Sequence, residues 1–109
     1  MAPMKLELMA KLNQNNFLLW RQQIMAAIKG NRLSPFINPE VALPAQFNQG
    51  GSVSESYLDW EQQDQVLICW ILSSISQEIL PELVGCIIAY EAWSTIERLF
   101  NSQSKANTM

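Results

Sequence analysis

Apolar residues recur at helical spacing in three parts of the chain, and the first part is the most regular. Its apolar residues lie on one side of a 3.6-residue period: Phe17, Trp20, Ile24, Ala27 and Ile28. The pattern predicts a helix over residues 13–31. Asn15 or Asn16 would accept hydrogen bonds from the unpaired N–H groups at its start, and Leu12 would fold back onto its first turn. Gly30, followed by an asparagine, would end it.

The second part combines an apolar stripe with a segment that is apolar on every side. The stripe contains Tyr57, Trp60, Asp64, Leu67, Ile71 and Ile75. The predicted helix runs from Ser54 or Ser56 to Ser76, and its all-apolar stretch, 66–72, is predicted to be buried. The β-branched residues of that stretch leave a strand as the alternative. The polar residues just before it, 61–65, are typical of a helix, and the sequence offers no second strand to pair with. Both observations favour the helix.

The third part predicts the last helix, over residues 89–100. Its apolar stripe contains Ala89, Ala92, Trp93, Ile96, Leu99 and Phe100. Between the second and third parts, residues 77–84 are typical of a turn and a short helix. Pro81 suits the start of a helix, and Gly85 would end it.

Residues 31–53 form a connector between the first two predicted helices. Pro35, Pro39 and Pro44 interrupt any helix within it, and Gly50-Gly51 adds flexibility. Several of its residues are too apolar for a free linker, and we predict that they cover the core or line a groove: Leu33, Phe36, Ile37, Val41, Leu43 and Phe47.

These elements predict an all-α fold, a small orthogonal or irregular bundle of four or five helices. The predicted divisions are an N-terminal segment at 1–12, a helical lobe at 13–101, and a tail or the start of a following helix at 102–109. Large apolar residues of the stripes are predicted to anchor the core: Phe17, Trp20, Ile24, Trp60, Leu67, Trp70, Ile71, Trp93, Ile96 and Phe100.

Composition and charge narrow the function. The 109 residues suit one domain, and with 49% hydrophobic and 16% charged residues the chain must bury a dense core or expose an apolar patch. The formal charge is -3 and the Lys and Arg residues are scattered. A stacking platform for nucleic acid needs exposed aromatics beside positive charge. We therefore expect no direct nucleic-acid binding by this segment, and tryptophans that pack in the core.

No residue pattern indicates a metal, a cofactor or a catalytic centre. The chain has two cysteines, Cys69 and Cys86, and no histidine, so we predict two reduced, buried thiols and no zinc site. Nucleophilic catalysis lacks its usual histidine base. Asp64 is either a catalytic acid with a raised pKa or, as we expect, an acid at the margin of the core that accepts a loop N–H or caps a helix. We predict that the protein is not an enzyme.

The chain contains no segment typical of secretion or of a membrane span. Residues 1–12 hold no apolar run long enough for a signal peptide. The longest apolar stretch, 66–72, is far shorter than the ~20 residues that cross a bilayer. We expect a cytoplasmic protein without membrane contact, with a nuclear location as the alternative.

Three blocks of the sequence resemble copia-type retrotransposon Gag polyproteins. The family's Leu-x-x-x-Asn-aromatic-x-x-Trp opening is similar to Leu12, Asn16, Phe17 and Trp20. Its second block, a Trp-x-x-x-polar run leading into Trp-Ile and Ser-Ile-Ser, is similar to Trp60, Asp64, Val66, Trp70, Ile71 and residues 73–76. Its third, an Ala-x-Glu-x-Trp-x-x-Leu run that leads to a Phe, is similar to Ala89, Glu91, Trp93, Ile96 and Phe100. The blocks occur in the family's order and cover most of residues 12–104.

This resemblance implies a lobe similar to the N-terminal half of a retroviral capsid protein, an all-helical unit that forms shells. The chain departs from the family at Ile88, where a threonine usually caps the third helix, so the cap must come from elsewhere or be missing. The zinc knuckle that contacts RNA in many members has no counterpart in this sequence.

Two functions are therefore expected. The first is a structural capsid-type (Gag) module that mediates self-assembly of retrotransposon particles through weak contacts multiplied in a shell. The alternative is a domesticated, Gag-derived domain that binds a protein or peptide in a groove between helices. The expected partners are the protein itself, as a dimer or larger oligomer, and a peptide or another protein.

Overall fold

In a computed structural model, which describes residues 11–41 and 43–107, the chain forms three α-helices and two single-turn 3₁₀ helices. The α-helices are α1 (Phe17–Gly30), α2 (Glu55–Ser73) and α3 (Ala89–Asn107), and the 3₁₀ helices are Ser34–Ile37 and Leu80–Leu83. The β-structure of the described ranges consists of isolated bridges. The predicted all-α class is confirmed. The predicted four or five helices are not, because the connector and residues 77–84 each form a single 3₁₀ turn.

α1 begins later than predicted, because the asparagine before it binds the loop rather than the helix. The Asn16 side chain accepts the N–H of Asn13 at 2.8 Å and donates to the carbonyl of Lys11 at 2.9 Å. It makes no hydrogen bond to the first turn of α1. Asn side chains readily form such local bonds, which compete with regular helix. The predicted capping by Asn16 therefore does not occur.

α1 ends at Gly30, but the residue in the left-handed conformation comes later. Arg32 has a φ of 58°, and its N–H donates to the carbonyl of Lys29 at 3.1 Å. The N–H of Leu33 reaches the carbonyl of Ile28 at 2.8 Å. These two bonds are those of a Schellman motif, which here uses an arginine where glycine is usual. The turn carries the side chain of Leu33 into the core, where it is 1% exposed.

Ser54, one of the two serines predicted to open the second helix, caps α2, which begins at Glu55 and ends at Ser73. The Ser54 hydroxyl accepts the N–H of Tyr57 at 3.1 Å, a side-chain cap. The residues after Ser73 pair with Leu12 instead of extending the helix. Leu12 donates to the carbonyl of Ser74 at 2.8 Å and accepts the N–H of Ser76 at 3.0 Å. The segment before α1 is thereby fixed to the end of α2.

The stretch 66–72 is helical, so the strand alternative is wrong, but it is not buried on every side. Val66 is 37% exposed, and Cys69 is also exposed. The prediction of two buried thiols is therefore wrong for Cys69. Cys86 is partly buried, with its sulfur 3.7 Å from the hydroxyl oxygen of Thr95, and both cysteines are free. The remaining large side chains of the stretch face the core.

Aromatic side chains from α1 and α3 meet in pairs inside the core. Phe17 stacks on Phe100 with ring centroids 5.1 Å apart, and Trp20 stacks on Trp93 at 5.9 Å. The Trp20 indole N–H donates to the buried hydroxyl of Ser74 at 3.0 Å, which joins α1 to the end of α2. Each aromatic pair adds about 0.5–1.5 kcal/mol beyond its buried area. The apolar stripes of the three helices thus converge on one core.

Trp60 is the one predicted core anchor that lies outside the core. The others are buried: Phe17, Trp20, Ile24, Leu67, Trp70, Ile71, Trp93, Ile96 and Phe100. Trp60 is only partly buried, between Phe36 and Tyr57. α3 begins opposite Asp64, so the first turns of α2 are covered by the connector rather than by a helix.

The connector covers the core only at its start. Phe36 and Ile37 are partly buried against the core, whereas Val41, Leu43 and Phe47 are exposed. Phe47 pairs with Val53 in an isolated antiparallel bridge. At the other end of the chain, α3 continues past the predicted end at Phe100.

Candidate docking groove

The N-terminus of α3 is capped by a carboxylate from α2. Both carboxylate oxygens of Asp64 accept the N–H of Ala89, at 3.1 and 3.3 Å. Asp64 is 1% exposed. Its position on the apolar stripe of α2 is therefore explained by a structural role, the expected cap. Asp64 supplies the cap that Ile88, the residue before α3, cannot provide with its hydrocarbon side chain.

Two more side chains hold the loop before α3. The Gln65 amide donates to the carbonyl of Ile87 at 2.9 Å. Glu91, in the first turn of α3, accepts the N–H groups of Ile87 at 3.0 Å and Ile88 at 3.3 Å. The backbone of this loop is thus fixed from both helices, and the side chains of Ile87 and Ile88 are held at the surface.

Burial raises the pKa of the Asp64 carboxyl above its ordinary value of 3.8. The hydrogen bonds from Ala89 and Gln65 act in the opposite direction, because they stabilise the charged form. The negative charges of Glu61 and Glu91 raise the pKa further. These carboxylates therefore create a region of negative potential where α2 meets the start of α3.

Two adjoining cavities open beside this loop and share Trp60 and Ile88 as walls. The larger has a volume of about 500 Å³ and is lined by Tyr57, Leu58, Trp60, Glu61, Gln62, Gln65, Ile87 and Ile88. The smaller, about 160 Å³, is lined by Pro35, Phe36, Asn38, Pro39, Val41, Leu43, Trp60, Ile88 and Tyr90. We call the two cavities together the Trp60 groove. Apolar and aromatic walls with a few polar groups are typical of binding sites.

Half of the predicted groove residues line the Trp60 groove. Phe36, Val41 and Leu43 form part of its wall. Leu33 is in the core, and neither Ile37 nor Phe47 contributes to either cavity. Several wall residues were not predicted from the sequence: Tyr57, Leu58, Ile87, Ile88 and Tyr90. The available signal was the pair of isoleucines before α3, which belongs to no helical stripe.

Trp60 gives the groove an aromatic surface. Its ring centroid lies 6.2 Å from that of Phe36 and 5.7 Å from that of Tyr57. Within the part of the chain that the structure describes, the Trp60 indole N–H, the Tyr57 hydroxyl and the Glu61 carboxylate have no hydrogen-bond partner. The groove therefore offers aromatic faces together with unused polar groups.

Charge is divided along the chain, although the basic residues form no cluster. No Asp or Glu occurs between residues 11 and 39, and no Lys or Arg occurs between residues 33 and 97. The Trp60 groove belongs to the acidic part, with Glu61 in its wall. Lys29 and Arg32 are exposed at the end of α1. Arg21 and Glu97 form an ion pair between the two parts at 3.1 Å, with side chains that are 40% and 29% exposed.

Over the described ranges, 11–41 and 43–107, no three His, Cys, Asp or Glu side chains are grouped so that they could hold a metal ion. None of the helices described is both long and apolar enough to cross a membrane.

Comparisons of the chain with protein-family models, with curated proteins and with solved structures find no match. The fold and the site together define an all-α domain with an aromatic, acid-lined surface groove.

Proposed function

We propose that the protein is a structural, capsid-type module of the Gag kind, which self-assembles and performs no catalysis. One observation carries the proposal: residues of the three Gag-like blocks are those that hold the three helices together. Trp20, of the first block, bonds to Ser74 of the second and stacks on Trp93 of the third. Asp64, of the second block, caps α3 at Ala89. Motifs used for internal contacts specify a fold rather than a chemical site.

The exposed helix faces support a role in weak, repeated contacts. On α1, Leu18 is 70% and Leu19 50% exposed. On α2, the exposed residues from Gln62 to Ser73 carry no charge. Exposed apolar residues on faces with few charges favour association between proteins. Individually weak contacts become effective when a shell repeats them.

In this proposal the protein forms a lobe similar to the N-terminal half of a retroviral capsid protein. It acts in the cytoplasm, and its main partner is a further copy of itself. The formal charge of -3 disfavours contact between this segment and RNA, so in this proposal other segments of the Gag protein bind the RNA.

Sedimentation velocity at rising concentration tests the proposal. The weight-average sedimentation coefficient is expected to increase between about 10 μM and about 1 mM, the range of weak protein contacts. Electron microscopy of the concentrated samples would then look for regular particles or sheets. A strictly monomeric protein at about 1 mM, together with a monomeric longer Gag chain that contains it, would contradict the proposed function.

The Trp60 groove favours a second candidate, a Gag-derived domain that binds a peptide. It has aromatic walls and unused hydrogen-bonding groups, as peptide sites do. The same sedimentation series separates the candidates, because the peptide-binding domain is expected to stay monomeric at every concentration.

A further inference from the structure

The outward side of α1 is an exposed surface that no element of the described ranges covers. It consists of exposed residues that share one side of the helix: Leu18, Leu19, Gln22, Ala26 and Lys29. The opposite side is buried and includes Trp20 and Ile24. We call the exposed side, together with Arg32 just beyond the helix, the α1 outer face. It carries two large apolar side chains at one end and positive charge at the other, and no acidic residue.

The Trp60 groove has the complementary character. Its wall is aromatic and apolar, with Ile87 72% and Leu58 50% exposed. Its charged wall residue is Glu61, whose charge, like that of Glu91, acts on the neighbouring Asp64. No Lys or Arg lies within residues 33–97 to neutralise this negative region.

Among the residues that the structure describes, the charges of the two surfaces have no ion-pair partner. In the described ranges, the ion pair between Arg21 and Glu97 involves neither surface. Lys29 and Arg32 on one side, and Glu61 on the other, form no ion pair there. Opposite unpaired charges on two exposed apolar surfaces of the same chain favour contact between copies, because attraction steers the surfaces together and like surfaces repel.

We propose that the α1 outer face of one copy docks into the Trp60 groove of the next copy. This inference rests on the proposed self-assembly and adds which surfaces meet. Leu18 and Leu19 bury their side chains against the apolar walls, in the manner of a helix in a groove. Lys29 and Arg32 pair with the carboxylates around Glu61. The stem of a lysine also packs well on an indole such as that of Trp60.

In the contact we propose, the copies are arranged head to tail: each copy offers its α1 outer face to one neighbour and its Trp60 groove to another. A head-to-tail contact leaves one groove and one outer face free at the ends of any oligomer. It therefore builds rings when its rotation closes and open filaments when it does not. Either product suits a shell-forming module, whereas a two-fold contact alone would stop at the dimer.

Charge reversal on each surface tests the proposal. Glu61→Lys and the double variant Lys29→Glu/Arg32→Glu are each expected to weaken association about tenfold or more, because like charges then face each other. Glu78→Lys is the matched control for Glu61→Lys, since Glu78 is an exposed acid outside the groove. Association is measured by sedimentation velocity, and melting curves of each variant check that it is folded.

An equimolar mixture of the two charge-reversed proteins provides the decisive measurement. Each protein alone is expected to associate about tenfold more weakly than the parent or worse, whereas the mixture associates again because every contact in it joins opposite charges. Raising salt from about 50 to about 500 mM should weaken association of the parent protein, which tests the same contact without mutation.

The possible failures have different meanings. Suppose that the parent associates, but that both variants associate as strongly as it does or that their mixture fails to recover association. The two surfaces do not then form the contact, while the proposed self-assembly stands. If the parent stays monomeric at all concentrations and salts, the proposed function fails with the inference. Should Glu61→Lys fail to fold, Glu61→Gln replaces it, with a smaller weakening expected.

Discussion

The indole N–H of Trp20 and the hydroxyl of Ser74 form a buried hydrogen bond of 3.0 Å between residues 54 positions apart. It joins α1 to the end of α2 at the centre of the core. Trp20→Phe keeps an aromatic ring beside Trp93 but removes the N–H. We expect a loss of about 1–3 kcal/mol in the free energy of unfolding, measured by urea denaturation.

A double-mutant cycle with Ser74→Ala isolates the hydrogen bond. A coupling of about 0.5–1.5 kcal/mol between the two substitutions is expected. Fully additive effects would show that the bond contributes nothing beyond packing. The Ser74 hydroxyl also donates to the carbonyl of Ile71 at 2.7 Å, so it keeps one partner in the Trp20→Phe variant.

Trp93 and Trp60 are expected to respond differently to truncation. Trp93 is 4% exposed and stacked on Trp20, so Trp93→Ala should cost about 3–5 kcal/mol. Trp60 is only partly buried, so Trp60→Ala should cost roughly half as much or less. Thermal and urea unfolding measure both. Equal losses would place Trp60 in the core after all.

Asp64 should make stability depend on pH in a specific direction. Because burial raises the pKa of its carboxyl in the folded protein, the native state holds this proton more tightly than the unfolded chain does. The stability contributed by the group is therefore present at low pH and is lost as pH rises from its ordinary value of 3.8 through the raised pKa.

Asp64→Asn removes this titration and keeps an oxygen that can accept the Ala89 N–H. The stability of the variant minus that of the parent is expected to increase with pH across that window, measured by urea denaturation at a series of pH values. Asp59→Asn, an exposed acid on the same helix, is the control. A difference that stays flat or falls with rising pH would contradict the assignment.

Replacing Gly30 and Gly85 by alanine should change stability in opposite directions, although the added Cβ meets no atom within 4 Å at either position. Gly85 has a φ of 99°, so Gly85→Ala is expected to destabilise by about 1–2 kcal/mol through backbone strain alone. Gly30, the last residue of α1, has open space and an ordinary φ. Gly30→Ala should stabilise by up to about 1 kcal/mol. The melting temperatures of the two variants, measured side by side, test this prediction. Equal destabilisation of both variants would show that the positive φ of Gly85 is not the cause.

The helical core was predictable because its residues repeat at the helical period. Trp20, Trp93 and Phe100 each lie on a stripe, and burial of such a stripe is the main way a helix gains stability. Helix ends were less predictable. The Asn16 side chain binds the preceding loop, and the residues after Ser73 pair with Leu12, a contact between segments distant in sequence.

The groove was only partly predictable, because its walls come from segments that are distant in sequence. The apolar residues Phe36 and Leu43 drew attention to the connector, but nothing local indicates that they meet Ile88 and Tyr90. Trp60 has the correct period for a core residue. Trp60 nevertheless lies beside a cavity rather than under a helix, because Asp64 fixes the start of α3 at Ala89.

The partners of α1 have a consequence for the order in which the molecule forms during synthesis. Trp20 bonds to Ser74, and Arg21 pairs with Glu97, which is 76 positions further along the chain. Contacts so distant in sequence slow the folding of a small helical protein. Until α3 has left the ribosome, the apolar side of α1 lacks Trp93 and Phe100, the rings on which Trp20 and Phe17 stack. A nascent chain that stops before Trp93 would therefore expose part of the apolar side of α1, the kind of surface that chaperones bind.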